Sequence, residues 1–210
     1  ARLYRFRARA EAGAPTVLLV PSLINRWYIL DLRRGQSMVE ALSNSGLDVF
    51  CLDWGEPRDE DRYLDWDTVL ARLGRTVRRV LSISKKPQIG LLGYCIGGTL
   101  TAIHTALEPQ GISGLVNLAG PIDFSHAGFL GHMTNPRWFD PHAIASAGNM
   151  SAEQMQAGFI ALRPTSQIAK MVAMIDKAQD PPKLEAMKAL DTWASDNIAF
   201  PAAAYERYIE

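Results

Sequence analysis

Four short apolar runs constrain the architecture most: 16–20 (TVLLV), 47–52 (LDVFCL), 88–94 (QIGLLGY) and 111–119 (GISGLVNLA). Each has the length of a strand, and turn-forming residues bound them: Pro15 and Pro21 flank the first, and Asn44-Ser45-Gly46 leads into the second. Helical patterns fill the intervals at 36–43, 66–82 and 97–107. In the second of these Val69, Leu70, Leu73, Val77, Val80 and Leu81 share one face, while Arg72, Arg75, Arg78 and Arg79 take the rest. Strands that alternate with helices predict right-handed crossovers and a mostly parallel sheet covered on both faces, an α/β fold.

After 120–124 (GPIDF) the strand-like runs stop. The segment from Ser151, with Glu153 and Gln154 close behind it, reads as a helix start, and Pro164 as its end. Residues 165–178 and 181–194 read as two further short helices, with Pro182 tolerated in the first turn of the second. Six of the seven methionines lie in this half, which suits adaptable apolar packing. The expected organisation is a core over 1–122 and a helical cap with a return segment over 123–210.

Lys and Arg total 22, and so do Asp and Glu, so bulk charge gives no reason to expect a nucleic acid partner. The locally basic start (Arg2, Arg5, Arg7, Arg9) reads as a solvated strand or tail edge, and the acidic run from Asp53 to Asp67 as a solvated loop. No apolar run is long enough for a transmembrane segment. Two cysteines without a signal sequence point to a reducing compartment, the cytoplasm. Cys51, inside an apolar run, reads as a buried small hydrophobe. The chain opens on Ala1 and closes on YERYIE without a helix-stop signal, so a piece of a longer protein is expected.

Chemistry concentrates at Gly93-Tyr94-Cys95-Ile96-Gly97, which has the outline of a nucleophile elbow, G-x-S-x-G, with cysteine in the serine position. Such an elbow holds its nucleophile on a strained strand-to-helix turn. Small residues two before and two after let strand and helix pass closely, and the helix directs its N-terminal amides at the site, where they stabilise negative charge. The backbone N–H of Ile96 is expected to form half of an oxyanion hole. The other half is expected from Leu23, with Ile24 as the less favoured choice, in the loop after the first strand; Pro21 has no N–H to give. A thiol suits a thioester substrate, because attack exchanges one thioester for another and keeps the acyl group's transfer potential. Acyl transfer is therefore favoured over simple hydrolysis.

GYCIGG, with VPSLINRWYILDL upstream, LDWG at 52–55 and GPIDF at 120–124, resembles the polyhydroxyalkanoate synthases, the poly(3-hydroxybutyrate) polymerases. The likeness runs over roughly 15–210 and includes DNIAFPAAAYERYI, similar to the family's return from cap to core. It implies an α/β-hydrolase fold with a helical cap, cut before the last core strands. It further implies an acyltransferase that joins (R)-3-hydroxyacyl groups from coenzyme A thioesters into polyester, with Cys95 carrying the chain. No cofactor is implied; coenzyme A is only the leaving group. The implied partners are the acyl-CoA substrate, the polyester granule, a second copy and, in some classes, a second synthase subunit. The family's aspartate and its histidine, in a Gly-Gly-His segment, lie after the cap and have no counterpart here, so this chain alone is expected to be inactive. The other readings are a cysteine-dependent thioesterase or esterase on the same fold, and a catalytically incomplete granule-binding domain. His104, nine residues after Cys95, should point away from the elbow. Asp123 follows the fourth strand, where some α/β hydrolases carry their acid, but a turn or cap role is favoured for it; His126, His132 and His142 are expected in structural or surface roles, and no histidine spacing suggests a metal site.

Overall fold

The computed structural model describes residues 1–6, 13–125, 128–162 and 165–210. They fall into two compact units: 1–56 with 64–124, and 57–63 with 125–210. Residues 57–63 thus group with the later half, a division that no single cut at 122 reproduces.

The first unit is built on β1 (Arg2–Phe6), β2 (Thr16–Val20), β5 (Asp48–Asp53), β6 (Ile89–Tyr94) and β7 (Ile112–Leu118), in the order β1-β5-β2-β6-β7. β5, β2, β6 and β7 run parallel, and β1 is antiparallel to β5. The mostly parallel sheet expected from the alternation is therefore present. A small hairpin, β3 (Asp31–Arg33) with β4 (Gln36–Ser37), follows a 3₁₀ turn at Trp27–Leu30. The helices are α1 (Met38–Asn44), α2 (Trp66–Ser84) and α3 (Ile96–Leu107). The helix expected over 36–43 starts only at Met38. Ser37 is its cap and accepts from the Glu40 N–H at 2.8 Å, while residues 36–37 pair in the hairpin.

β2 is the centre of the sheet, and Leu18, Leu19 and Val20 are wholly buried there. Its continuous apolar run has no polar face because both sides are covered. α2 is capped by Asp65, whose side chain accepts from the Thr68 N–H at 2.8 Å. It buries Val69, Leu73, Val77 and Val80 and ends where Lys85 turns left-handed at φ 55°. The basic start is more than a solvated tail. Arg5 in β1 places Nε and Nη2 on the two carboxylate oxygens of Asp48, each at 2.9 Å, with its guanidinium 5.1 Å over the ring of Phe50. Arg7 and Arg9 lie outside the described residues.

β7 departs from expectation. It reads as a buried apolar strand, yet its residues 113–117 are exposed, Val116 at 54%. Among the described residues β7 pairs in the sheet with β6 alone, and α3 packs against it without covering Leu115 or Val116.

The second unit is helical: a 3₁₀ turn at Asp59–Tyr63, then α4 (Gly128–Met133), α5 (Pro141–Ser146), α6 (Ala152–Leu162), α7 (Ser166–Asp176), α8 (Pro181–Ser195) and α9 (Ala202–Ile209). The acidic run is thus a loop that contains a 3₁₀ turn. The start of α6 is a reciprocal cap. Ser151 Oγ accepts from the Gln154 N–H, and Gln154 Oε1 accepts from the Ser151 N–H. Pro164, its expected end, lies outside the described residues. Pro181 and Pro182 open α8 behind the Asp180 cap. Among the described residues the unit has no strand, only an isolated bridge between Met150 and Phe200.

Candidate active site

β6 delivers the chain to Cys95, and α3 begins at the next residue. Cys95 has φ 54° and ψ −129°, a conformation few non-glycine residues adopt. Two hydrogen bonds hold it, and a glycine on either side lets strand and helix close on it. The Cys95 N–H donates to the Leu118 carbonyl at 2.9 Å, and the Cys95 carbonyl accepts from the Gly98 N–H at 2.7 Å. On the strand side Gly93 faces α3 so closely that a Cβ would stand 2.6 Å from Gly98 Cα. On the helix side Gly97 lies against the backbone of Val20 and Pro21. Glycine is required at both places by space, whatever the dihedral angles.

Asn117 closes the turn after β7, which lies against the elbow, a role that the sequence did not reveal. Its side-chain amide donates to the Gly120 carbonyl at 3.0 Å and accepts from the Gly120 N–H at 2.9 Å. The turn also bends at Ala119, φ 53°. Thr99 Oγ1 donates to the Pro121 carbonyl at 2.6 Å and fastens α3 to the segment after β7.

The loop that leaves β2 meets the elbow through Pro21. The Pro21 carbonyl accepts the Trp54 indole N–H at 2.9 Å, a clamp across 33 residues of sequence. Trp54 belongs to the LDWG motif, which carried the family resemblance but not this role. Ser22 is buried, and its Oγ accepts the Ile24 N–H at 3.4 Å. The Ile24 amide is thereby engaged. Leu23, between them, is 5% exposed, and its N–H has no hydrogen-bond partner among the described residues. Ile96 is the first residue of α3, where a helix leaves its N–H groups unpaired.

The cysteines and histidines differ in their surroundings. Cys51 is fully buried in β5, and burial above all, with Asp53 and Asp31 adding, pushes its thiol up to about 12. Cys95 is half-buried. His104 is 3% exposed and lies at Gly74 of α2, where a Cβ would touch its Cε1 at 3.4 Å. Burial holds its pKa below the ordinary histidine range, against an opposing pull from Glu108. His132 stacks edge-on with Trp138 at 5.1 Å, and His142 Nδ1 lies 2.7 Å from Glu206 Oε1. His126 lies outside the described residues, and Asp123 is exposed. Among the described residues no group of three His, Cys, Asp or Glu is arranged to hold a metal, and no helix is long and apolar enough to cross a membrane.

A strained cysteine at a strand-to-helix turn on a parallel sheet agrees with the family comparison. The family model for the α/β-hydrolase fold matches residues 15–208. The chain belongs to the α/β-hydrolase fold family. Among curated relatives, a poly(3-hydroxyalkanoate) polymerase subunit PhaC from Haloferax mediterranei is 31% identical over the whole chain and is covered over 44% of its own length. Its counterpart from Synechocystis sp. is 31% identical over 99% of the chain and 57% of its length. The chain therefore spans about half the length of the curated relatives it matches. A solved thioesterase domain from the curacin biosynthetic pathway superposes on 99% of the chain and 68% of its own length at TM-score 0.56, with 12% identity, a likeness of fold alone.

Proposed function

We propose that this chain carries the nucleophile of an acyltransferase that polymerises (R)-3-hydroxyacyl-CoA thioesters into polyhydroxyalkanoate. The observation that carries the reading is Cys95 at φ 54° on the elbow, a thiol held where α/β-hydrolases present their nucleophile. The polymerase names of its relatives support the choice of substrate.

In the proposed reaction Cys95 Sγ, once deprotonated, attacks the thioester carbonyl carbon. The resulting oxyanion accepts hydrogen bonds from the N–H groups of Leu23 and Ile96. Collapse breaks the bond to the coenzyme A sulfur, which leaves with the proton taken from Cys95. The acyl group then passes from Sγ to a hydroxyl oxygen of another hydroxyacyl unit: an ester bond forms, the Cys95 thioester breaks, and the hydroxyl proton returns to sulfur. The family resemblance implies an acid and a base for this cycle in a segment after the cap. The activity is therefore proposed for the intact protein, at polyester granules in the cytoplasm, as a homodimer. The relatives' designation as subunits favours a partner subunit as well.

In the intact protein Cys95→Ala should abolish coenzyme A release from 3-hydroxybutyryl-CoA. Turnover that survives the substitution overturns the assignment. Release of free hydroxy acid in place of polymer would identify a thioesterase instead.

A further inference from the structure

Arg72, Arg75 and Arg79 lie on one side of α2, spaced three and four residues apart, and turn toward Arg2 of β1. Together they line an open surface depression of about 290 Å³ that also includes Leu3 and Leu52. None of the four has an ion-pair partner among the described residues, and no carboxylate lines the depression. Their neighbours differ. Arg78, on the same helix, pairs with Glu108 at 3.2 Å, and Arg5, on the same strand as Arg2, pairs with Asp48. In a chain with 22 basic and 22 acidic residues, four unmatched guanidiniums around one hollow are a local concentration of charge, not a consequence of composition.

Each guanidinium is permanently charged and presents a planar fork of donors that matches phosphate oxygens two at a time. Several forks facing one another suit several phosphates, and the leucine wall suits an apolar ring or methylene group. The volume is at the lower end of the range for small-ligand sites. We propose that the hollow between β1 and α2 binds a small anion carrying two or more phosphates. The source could be the nucleotide end of a coenzyme A thioester or a free nucleotide. In the backbone ladder Arg2 stands opposite Asp53 at the carboxyl end of β5, the sheet edge from which β6 leads into Cys95. β1 lies three strands from β6, roughly 14 Å at ordinary strand spacing. Phosphate binding stands apart from the acyl-transfer reading; only the choice of source rests on it.

The test titrates inorganic pyrophosphate into the intact protein at low salt by calorimetry. Saturable binding is expected, weakened at least about tenfold by Arg72→Gln with Arg79→Gln, and weakened in part by Arg75→Gln alone, with circular dichroism unchanged. Arg78→Gln, whose side chain is paired outside the hollow, should stay within about twofold. Absence of saturable binding overturns the proposal, as does an equal loss in Arg78→Gln. So does binding of a polyglutamate peptide without pyrophosphate, which would mark a protein-binding face. If the double variant also raises KM for 3-hydroxybutyryl-CoA about tenfold at constant kcat, the ligand is the thioester's nucleotide end. If KM holds while pyrophosphate and ATP binding fall, it is a free nucleotide.

Discussion

Gly97 faces Pro21 so closely that a Cβ on it would stand 2.6 Å from the Pro21 carbonyl oxygen, the same oxygen that accepts the indole N–H of Trp54. One backbone carbonyl thus joins the helix that follows Cys95, the loop that carries Leu23 and the end of β5. Gly97→Ala must move backbone, because the obstructing atoms are not flexible side chains. It should destabilise the fold by about 1–3 kcal/mol or more in urea denaturation, and lower acyl transfer further than its stability loss accounts for.

Trp54→Phe keeps the ring and removes the donor. The expected cost is about 1–3 kcal/mol, because the buried Pro21 carbonyl is left without its donor. The kinetic consequence should fall on kcat, since the loop positions the Leu23 amide. An unchanged kcat in a folded variant would disconnect the clamp from the proposed oxyanion hole.

The two thiols should differ in reactivity. With its pKa pushed up to about 12 and its side chain fully buried, Cys51 has almost no thiolate at pH 8. Native protein treated with iodoacetamide at that pH should carry the label on Cys95 alone. Cys51 should take it only after denaturation, as peptide mass spectrometry would read.

His142 and Glu206 give a pH-dependent contribution within the second unit. The Glu206 carboxylate raises the His142 pKa above its ordinary value, first by the hydrogen bond and then by charge. The folded pKa lies above the unfolded one, so the stabilisation is full below the unfolded value of about 6.5 and is lost as pH rises through the folded pKa. A proton NMR titration of His142 should show the upward shift, and Glu206→Gln should bring the midpoint back down.

Arg5→Ala should show what the start of the chain contributes. Asp48 is 6% exposed, so its carboxylate would remain buried without its two guanidinium bonds. A loss of about 1.5–3 kcal/mol is expected, in the range for hydrogen bonds to charged groups. Asp48→Asn combined with Arg5→Ala should recover part of it, because the orphaned charge is then removed.

Much of the sheet was legible because its strands announce themselves. β2, β5 and β6 are uninterrupted apolar runs set between turn residues, and α2 shows its buried face in the spacing of Val69, Leu73, Val77 and Val80. The motif around Cys95 also gave its own strand-to-helix context. Burial of β7 was misjudged because apolarity records what a strand could bury, not whether a neighbour covers it. The contributions of Trp54 and Asn117 were hidden for a related reason. Each acts through a bond to a backbone carbonyl whose position depends on the folded sheet, and no local pattern encodes that. Residues 57–63 group with the helical unit through tertiary packing, such as that of their 3₁₀ turn with α9, which sequence adjacency to the core conceals.

Leu19 pairs with Leu92 and with Cys51 across the centre of the sheet, yet these three residues come from well-separated stretches of chain. No hairpin can bring parallel neighbours together, so each pairing must wait for a long loop to close. The bond from the Cys95 N–H to the Leu118 carbonyl depends on one such pairing, that of β6 with β7. Without β7 beside β6 and the end of β2 against Gly97, the Cys95 backbone loses the contacts that hold it in that conformation. An excised peptide spanning 88–107 should therefore have the sequence of the elbow without its geometry, and its cysteine should behave as any thiol on a flexible chain.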